Sequence, residues 1–252
     1  MKVIGHRGAA NLAPENTFAG FDLALQSGVD ALETDVQRTK DGKLVLFHDA
    51  RIGRTTNGRG WLQHITWDEL RRLDAGSWSH RRYTGERIPL LTAFLQKYGR
   101  RVPLELEVKQ AGIEQEVVGA VLEHNLLERV TFTSFDFSTA SHIKHLVPQA
   151  NVGYLTSSIS EKTIARVRHA GITQFSPIAR KVTKALVDKW RSHGLFIRAW
   201  GVKNIALMRQ AISAGVDGMT VDFPDVLLAE LGRDGHAREV RQELQSLRLE
   251  RP

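Results

Sequence analysis

The chain has 252 residues, 42% of them apolar and 25% charged, a globular balance that excludes a disordered chain and leaves ample length for a core. It has no cysteine, which excludes disulfides, thiolate metal sites and a cysteine nucleophile; any metal must be held by carboxylates, imidazoles, carbonyls or water. The net charge is +7 with His neutral, but the arginines are scattered and no aromatic-basic ladder accompanies them. Nucleic-acid binding therefore ranks below attraction of an anionic substrate, or plain compositional bias.

The opening Met1-Lys2-Val3-Ile4-Gly5-His6 leads into no apolar run of signal-peptide length. No stretch nears the ~20 apolar residues of a spanning helix. The expectation is a soluble, cytoplasmic protein without stable membrane insertion.

The first expected strand, near Val3–His6, ends at His6-Arg7-Gly8. A lone histidine is more often structural than catalytic. The adjacent Arg offers a planar fork of donors for phosphate, and Gly lets the backbone approach. Glu15-Asn16-Thr17 then opens a helix on which Phe18, Phe21 and Leu25 share a face. The plain reading of that triplet is an N-cap with a favourable acid; the functional one is a role at an anion or metal site.

Ser27-Gly28-Val29-Asp30 ends that helix and leads into a strand near Ala31–Val36. Glu33 and Asp35 stand two apart in it, on one face. Two carboxylates on an otherwise apolar strand repel each other and are costly to bury. Pairing with Arg or Lys is one remedy; a divalent cation with oxygen ligands is the favoured one.

From about 41 to 85 the chain is rich in Gly, Trp and charge. It reads as an insertion after the second strand, capping the mouth of the fold, with a strand at Lys43–Asp49 after an Asp41-Gly42 turn. His48 supplies a second imidazole, and a pair of imidazoles can divide acid and base work. The remaining histidines, such as His124, His142 and His145, look incidental.

The third strand, near Leu104–Lys109, alternates Glu105, Glu107 and Lys109 on one face. Glu107 and Lys109, nearest its C-terminal end, are best placed for a site; Glu105 reads as deeper and paired with a cation. Further strands are expected near Val130–Ser134, Asn151–Leu155, Gln174–Ser176, Phe196–Val202 and Gly218–Asp222. Between them run helical patterns: Val117, Val121 and Leu122 on one face, and Ile205, Met208 and Ile212 on another. Asn204 is the expected N-cap and Gly215 the C-terminal glycine of the latter helix. The helix-glycine-strand junction recurs at Gly28, Gly171 and Gly215, which implies a parallel sheet with crossover helices. Eight βα units in this length match a (β/α)8 TIM barrel; an open doubly wound sheet is the alternative. Trp200 reads either as core or as a surface for substrate, and Asp222 as a group that orients a cationic side chain. Residues 1–231 are expected to form one domain, and 232–252 a charged, helical tail with Val240, Leu244 and Leu247 as a thin apolar stripe.

Taken in order, His6-Arg7-Gly8, Pro14-Glu15-Asn16-Thr17, Glu33-x-Asp35-Val36, Thr39-Lys40-Asp41-Gly42, Val45-x-x-His48-Asp49 and Glu107-Val108-Lys109 resemble the signature of the glycerophosphodiester phosphodiesterases, most of all their short bacterial cytosolic members. Asp74-Ala75-Gly76-Ser77-Trp78 and Gly85-Glu86-Arg87-Ile88-Pro89 resemble that family's insertion, and Asp217-Gly218 through Asp222-x-Pro224-Asp225 its last unit. The resemblance spans about residues 3 to 231. It implies His6 and His48 as the acid/base pair, Glu33, Asp35 and Glu107 as ligands of Mg²⁺ or Ca²⁺, and Arg7 and Lys109 as phosphate holders, with Glu15 and Asn16 supporting. It implies a small glycerophosphodiester as substrate, cleaved to sn-glycerol 3-phosphate and an alcohol. Lipid-acting relatives and a non-catalytic anion-binding barrel are the rival readings. The chain departs at Gly201, where the family often has Thr after Trp, a position that bears on headgroup contacts.

Overall fold

The computed structural model describes residues 1–233 and Gly235; the expected tail stripe of Val240, Leu244 and Leu247 lies outside the described residues. Strand β1 (Lys2–Gly5) is followed by helix α1 (Phe18–Ser27) and strand β2 (Ala31–Arg38). The chain then passes through β3 (Leu44–Leu46), α2 (Trp67–Leu70) and α3 (Leu91–Tyr98). From β4 (Leu104–Val108) strands and helices alternate: α4 (Glu114–Glu123), β5 (Val130–Ser134), α5 (Phe137–Leu146), β6 (Asn151–Thr156), α6 (Glu161–His169), β7 (Gln174–Pro177), α7 (Lys184–Ser192), β8 (Phe196–Ala199), α8 (Ile205–Ala214), β9 (Gly218–Val221) and α9 (Pro224–Glu230).

Eight of these strands are parallel and closed. The sheet runs β1-β9-β8-β7-β6-β5-β4-β2, and β1 also pairs with β2. This is a (β/α)8 barrel, and closure settles the choice against an open sheet. Local chemistry sets the helix ends. The Thr17 hydroxyl accepts from the Gly20 N–H at the start of α1, and Gly28 ends it at φ 89°. The Asn204 side chain likewise accepts from Leu207 N–H, and Gly215 ends α8 at φ 76°. Both glycines take the left-handed conformation that closes a helix and frees the chain to enter the next strand.

The expected helix faces need two corrections. On α4 the buried apolar residues are Val117, Val118, Ala120 and Val121, whereas Leu122 is 45% exposed. Leu122 stands a further 100° round from Val121, past the edge of the apolar stripe. On α8 Met208 and Ala211 are buried, but Ile205, in the first turn, is 49% exposed.

Strand β2 does two jobs. Its first half lies in the barrel, with Glu33 level with Glu105 and Asp35 with Glu107 across β4. Its last residues, Val36–Arg38, pair antiparallel with β3, so the inserted layer grows out of the C-terminal end of a barrel strand. That layer has its own apolar cluster of Val45, Phe47, Ile52, Leu62, Leu70, Ala75 and Ile88, separate from the main core. It also touches the β1–α1 loop, where Tyr83 Oη and Arg82 Nη2 donate to the Leu12 carbonyl. Among the described residues no helix is long and apolar enough to cross a membrane.

Candidate active site

In a parallel barrel the C-terminal strand ends converge on one mouth. Here they surround a cavity of about 220 Å³ lined by His6, Arg7, Glu33, His48, Glu107 and Trp200 together with Phe135, Leu155, Arg198, Gly201, Val202, Lys203, Thr220 and Asp222. A larger groove of about 1010 Å³ lies between α5 and α6, but its ionisable lining (Lys144, His145, Lys162, Arg166 and His169) carries no carboxylate. The smaller cavity holds the varied chemistry.

The backbone at the mouth is unusual. Arg7 and Asn16 adopt φ 52° and φ 54°, a region that costs a non-glycine residue energy and persists only where neighbours enforce it. The Asn16 N–H donates to the Arg7 carbonyl, which ties the two together. Gly8 between them sits at φ 92°, and a Cβ there would fall 2.5 Å from the Gly20 backbone carbon. This turn must be glycine for Arg7 to face the cavity.

Arg7 reaches three carboxylates. Its backbone N–H donates to Glu33 Oε2 at 3.0 Å, and Nη1 donates to Glu15 Oε1 at 2.9 Å. Its Nε lies 3.1 Å from Asp35 Oδ2, though without hydrogen-bond geometry. Asn16 is buried; its amide donates to Asp35 Oδ2 at 2.9 Å and its carbonyl accepts from Thr34 Oγ1. Glu15 and Asn16 thus stand behind Arg7 and Asp35 and are not among the cavity's lining residues.

Glu33, Asp35 and Glu107 each offer a carboxylate oxygen, all within 4.8 Å of one another, and all three residues are buried. Burial, then the charge of Asp35, pushes Glu33 up to about 7. Burial also opposes ionisation of Asp35, but the charges of Arg7 and Lys109 outweigh it and hold that carboxyl below its ordinary range. Lys109 Nζ donates to Glu107 Oε1 at 2.8 Å and stands 3.6 Å from Asp35 Oδ1. Asp35 Oδ1 is buried and receives no hydrogen bond. A buried, unsatisfied carboxylate oxygen in a cluster of hard oxygen donors is what a divalent cation would satisfy; the residues present fit such an ion.

Two imidazoles face the same cavity, each held by a carboxylate. His6 Nδ1 lies 2.5 Å from Asp222 Oδ1, and His48 Nδ1 lies 2.6 Å from Asp49 Oδ1. Ionised carboxylates only accept, so each Nδ1 donates and each neutral ring keeps its lone pair on Nε2. Burial disfavours protonation of His6, yet the Asp222 hydrogen bond and the Glu33 charge outweigh it and raise its pKa. Asp222 is held down in turn: burial opposes its ionisation, and His6 more than compensates. The hydrogen bond from Arg54 and then that from His48 bring Asp49 to about 2.

On the opposite wall Trp200 Nε1 donates to the Thr156 carbonyl at 3.3 Å, and its ring meets Phe135 edge-on with centroids 4.7 Å apart. Glu105 lies deeper: Arg198 Nη1 contacts its Oε2 at 2.7 Å and Gln174 Nε2 donates to it at 3.1 Å. Its cationic partner is therefore Arg198, which also donates to Thr220 Oγ1. Sequence reasoning missed Asp49, Arg54 and Phe135, and saw Asp222 only as a group that could orient a cation. The Asp49 next to His48 was the one local signal available.

Two positioned imidazoles beside clustered oxygen donors and a guanidinium can perform proton transfers at a phosphate ester, the chemistry that the class of phosphodiester hydrolases requires. Residues 6–226 match the model of the Glycerophosphoryl diester phosphodiesterase family, and the chain belongs to that family. The glycerophosphodiester phosphodiesterase of Caldanaerobacter subterraneus subsp. tengcongensis is 34% identical over 239 residues, covering 92% of this chain and 98% of that one. The crystal structure of glycerophosphodiester phosphodiesterase from Agrobacterium tumefaciens str. C58 superposes with a TM-score of 0.82 at 29% identity, covering 91% of this chain and 99% of that one. An Oleispira antarctica phosphodiesterase, solved in complex with the product sn-glycerol-3-phosphate, gives a TM-score of 0.83 at 30% identity over 92% of this chain and 97% of that one.

Proposed function

We propose that this enzyme hydrolyses small glycerophosphodiesters to sn-glycerol 3-phosphate and an alcohol, with Mg²⁺ or Ca²⁺ held by Glu33, Asp35 and Glu107, and with His6 and His48 dividing the proton transfers. One observation carries the reading: two imidazoles, each anchored through Nδ1 to a carboxylate, line the same cavity as Glu33 and Glu107 of the acidic trio. The product found with the Oleispira antarctica phosphodiesterase supports the choice of substrate.

The ion, when bound, supplies Lewis acidity at the phosphoryl oxygens and a template for the glycerol hydroxyls. Arg7 presents its guanidinium to the phosphate, held at its back by Glu15, and Lys109 adds positive charge beside Glu107. One Nε2 takes the proton of the attacking hydroxyl; the other hands a proton to the departing alkoxide. Asp222 and Asp49 keep the rings turned and support the imidazolium form. The attacking hydroxyl is either the substrate's own 2-hydroxyl, giving a cyclic phosphate that water opens, or water itself. Rapid-quench detection of the cyclic ester separates these routes. Trp200 and Phe135 offer an apolar wall to the carbon skeleton.

The test is hydrolysis of glycerophosphocholine, glycerophosphoethanolamine, glycerophosphoinositol and lysophospholipids, with EDTA and after Mg²⁺ or Ca²⁺ is restored. His6→Ala and His48→Ala should each abolish turnover while circular dichroism stays unchanged. Full activity in either variant sinks the acid/base assignment, and turnover confined to lysophospholipids would move the substrate to lipids.

A further inference from the structure

Arg54 sits on a short helical turn (Ile52–Arg54) of the inserted layer, pinned by Ile52 in that layer's apolar cluster. Its side chain is 45% exposed, and an exposed ion pair alone is worth little. Its partners are the reason to single it out. Nη1 and Nη2 each donate to Glu15 at 2.7 Å, one to each carboxylate oxygen. Nε donates to Asp49 Oδ2 at 2.5 Å, and Nη2 also to Asp49 Oδ1 at 3.1 Å. Glu15 is the carboxylate that holds Arg7, and Asp49 is the one that holds His48. One planar guanidinium thus joins the β1–α1 loop of the barrel to the inserted layer. It does so through the two acids that aim a cavity guanidinium and a cavity imidazole.

We infer that Arg54 is a positioning residue that sets Arg7 and His48 relative to each other, so that phosphate binding and proton transfer share one geometry. The inference rests on the functional reading above for what Arg7 and His48 do, but not for the linkage itself. Without Arg54, Glu15 and Asp49 keep one partner each and lose the fork that fixes their rotamers. Lysine cannot replace it, because a single ammonium does not offer two parallel pairs of donors.

The experiment compares wild type, Arg54→Ala, Arg54→Lys, Glu15→Gln and Asp49→Asn on glycerophosphocholine, with fold checked by circular dichroism. Arg54→Ala should lose about 10–100-fold in kcat/KM, the usual range for a group that orients a site's ligands, with kcat lowered and KM raised together. Glu15→Gln should act mainly on KM and Asp49→Asn mainly on kcat. Methylguanidinium added to Arg54→Ala should restore part of the loss, while ammonium salts at equal ionic strength and the Arg54→Lys variant should not. Independently of turnover, the His48 Nδ1–H resonance should be sharp in wild type and exchange-broadened in Arg54→Ala. If wild type fails to hydrolyse glycerophosphocholine, the functional reading falls and the resonance still decides the linkage. Wild-type kinetics in Arg54→Ala, or an unchanged resonance, overturns the inference.

Discussion

Replacing Glu105 by leucine strands a guanidinium inside the barrel. The side chains of Arg198 and Glu105 are 2% and 8% exposed, and their charged atoms lie 2.7 Å apart. Arg198 would keep only the neutral acceptors Thr220 Oγ1 and Ser176 Oγ, and arginine does not neutralise itself by losing a proton. Breaking a buried pair by removing one partner costs about 3–5 kcal/mol. For a domain of this size about 2–4 °C of melting temperature goes with each kcal/mol, so Glu105→Leu should melt roughly 6–20 °C lower. Arg198→Met strands the Glu105 carboxylate in turn and should also melt below wild type. The double variant should be more stable than either single one, because two apolar groups leave no unpaired charge. Urea unfolding of the four proteins closes the cycle. A cost below about 1 kcal/mol for Glu105→Leu, or a double variant no better than the singles, would refute the assignment of Glu105 to a structural pair.

Asp222→Asn removes the charge that, with Glu33, raises His6 against the opposing effect of burial, so the pKa of the ring should fall; NMR titration of the ring reads it, and an unmoved His6 contradicts the pairing. Because Glu33 stands at about 7 when no ion is bound, Mg²⁺ or Ca²⁺ should displace a proton, and apparent affinity should fall by up to about tenfold per pH unit below that point. Calorimetry in buffers of different ionisation heat counts the protons, and none released at pH 6 rejects this. The same shift carries a stability sign. Folded Glu33 holds its proton more tightly than its ordinary value of 4.5 allows, so the ion-free protein has this contribution in full below that value and loses it as pH rises through about 7. Gly8→Ala meets both φ 92° and the Gly20 backbone; it should cost at least about 1–3 kcal/mol and reduce activity through Arg7, and a wild-type melting curve would show the turn to be slack.

The barrel was legible because its signals are local. Each helix-glycine-strand junction is written within a few residues, as at Gly28 and Gly215, and the i, i+2 spacing of Glu33 and Asp35 places both carboxylates on one face without any knowledge of the partner strand. What pairs across the barrel was not legible. Nothing near Glu105 points to Arg198, which arrives on β8, and nothing near His6 points to Asp222, which the closure of β1 on β9 brings to it. Arg54 was invisible for a different reason: it lies on a three-residue helical turn, too short for periodicity to tell which side chains converge. Leu122 shows the limit of periodicity itself, since one residue past the apolar stripe is already in water.

The inserted layer's separate apolar cluster means that this enzyme has two thresholds of failure. Small cooperative units open at lower free energy than the body they rest on. When this one opens, His48, Asp49 and Arg54 leave together, while Glu33, Asp35 and Glu107 stay embedded in barrel strands. Such a molecule would keep its buried acidic trio and still resist melting, yet lose one of the two imidazoles proposed to act in turnover. Warming should therefore silence catalysis, reversibly, at temperatures where the barrel is intact, with the smallest core as the first to yield.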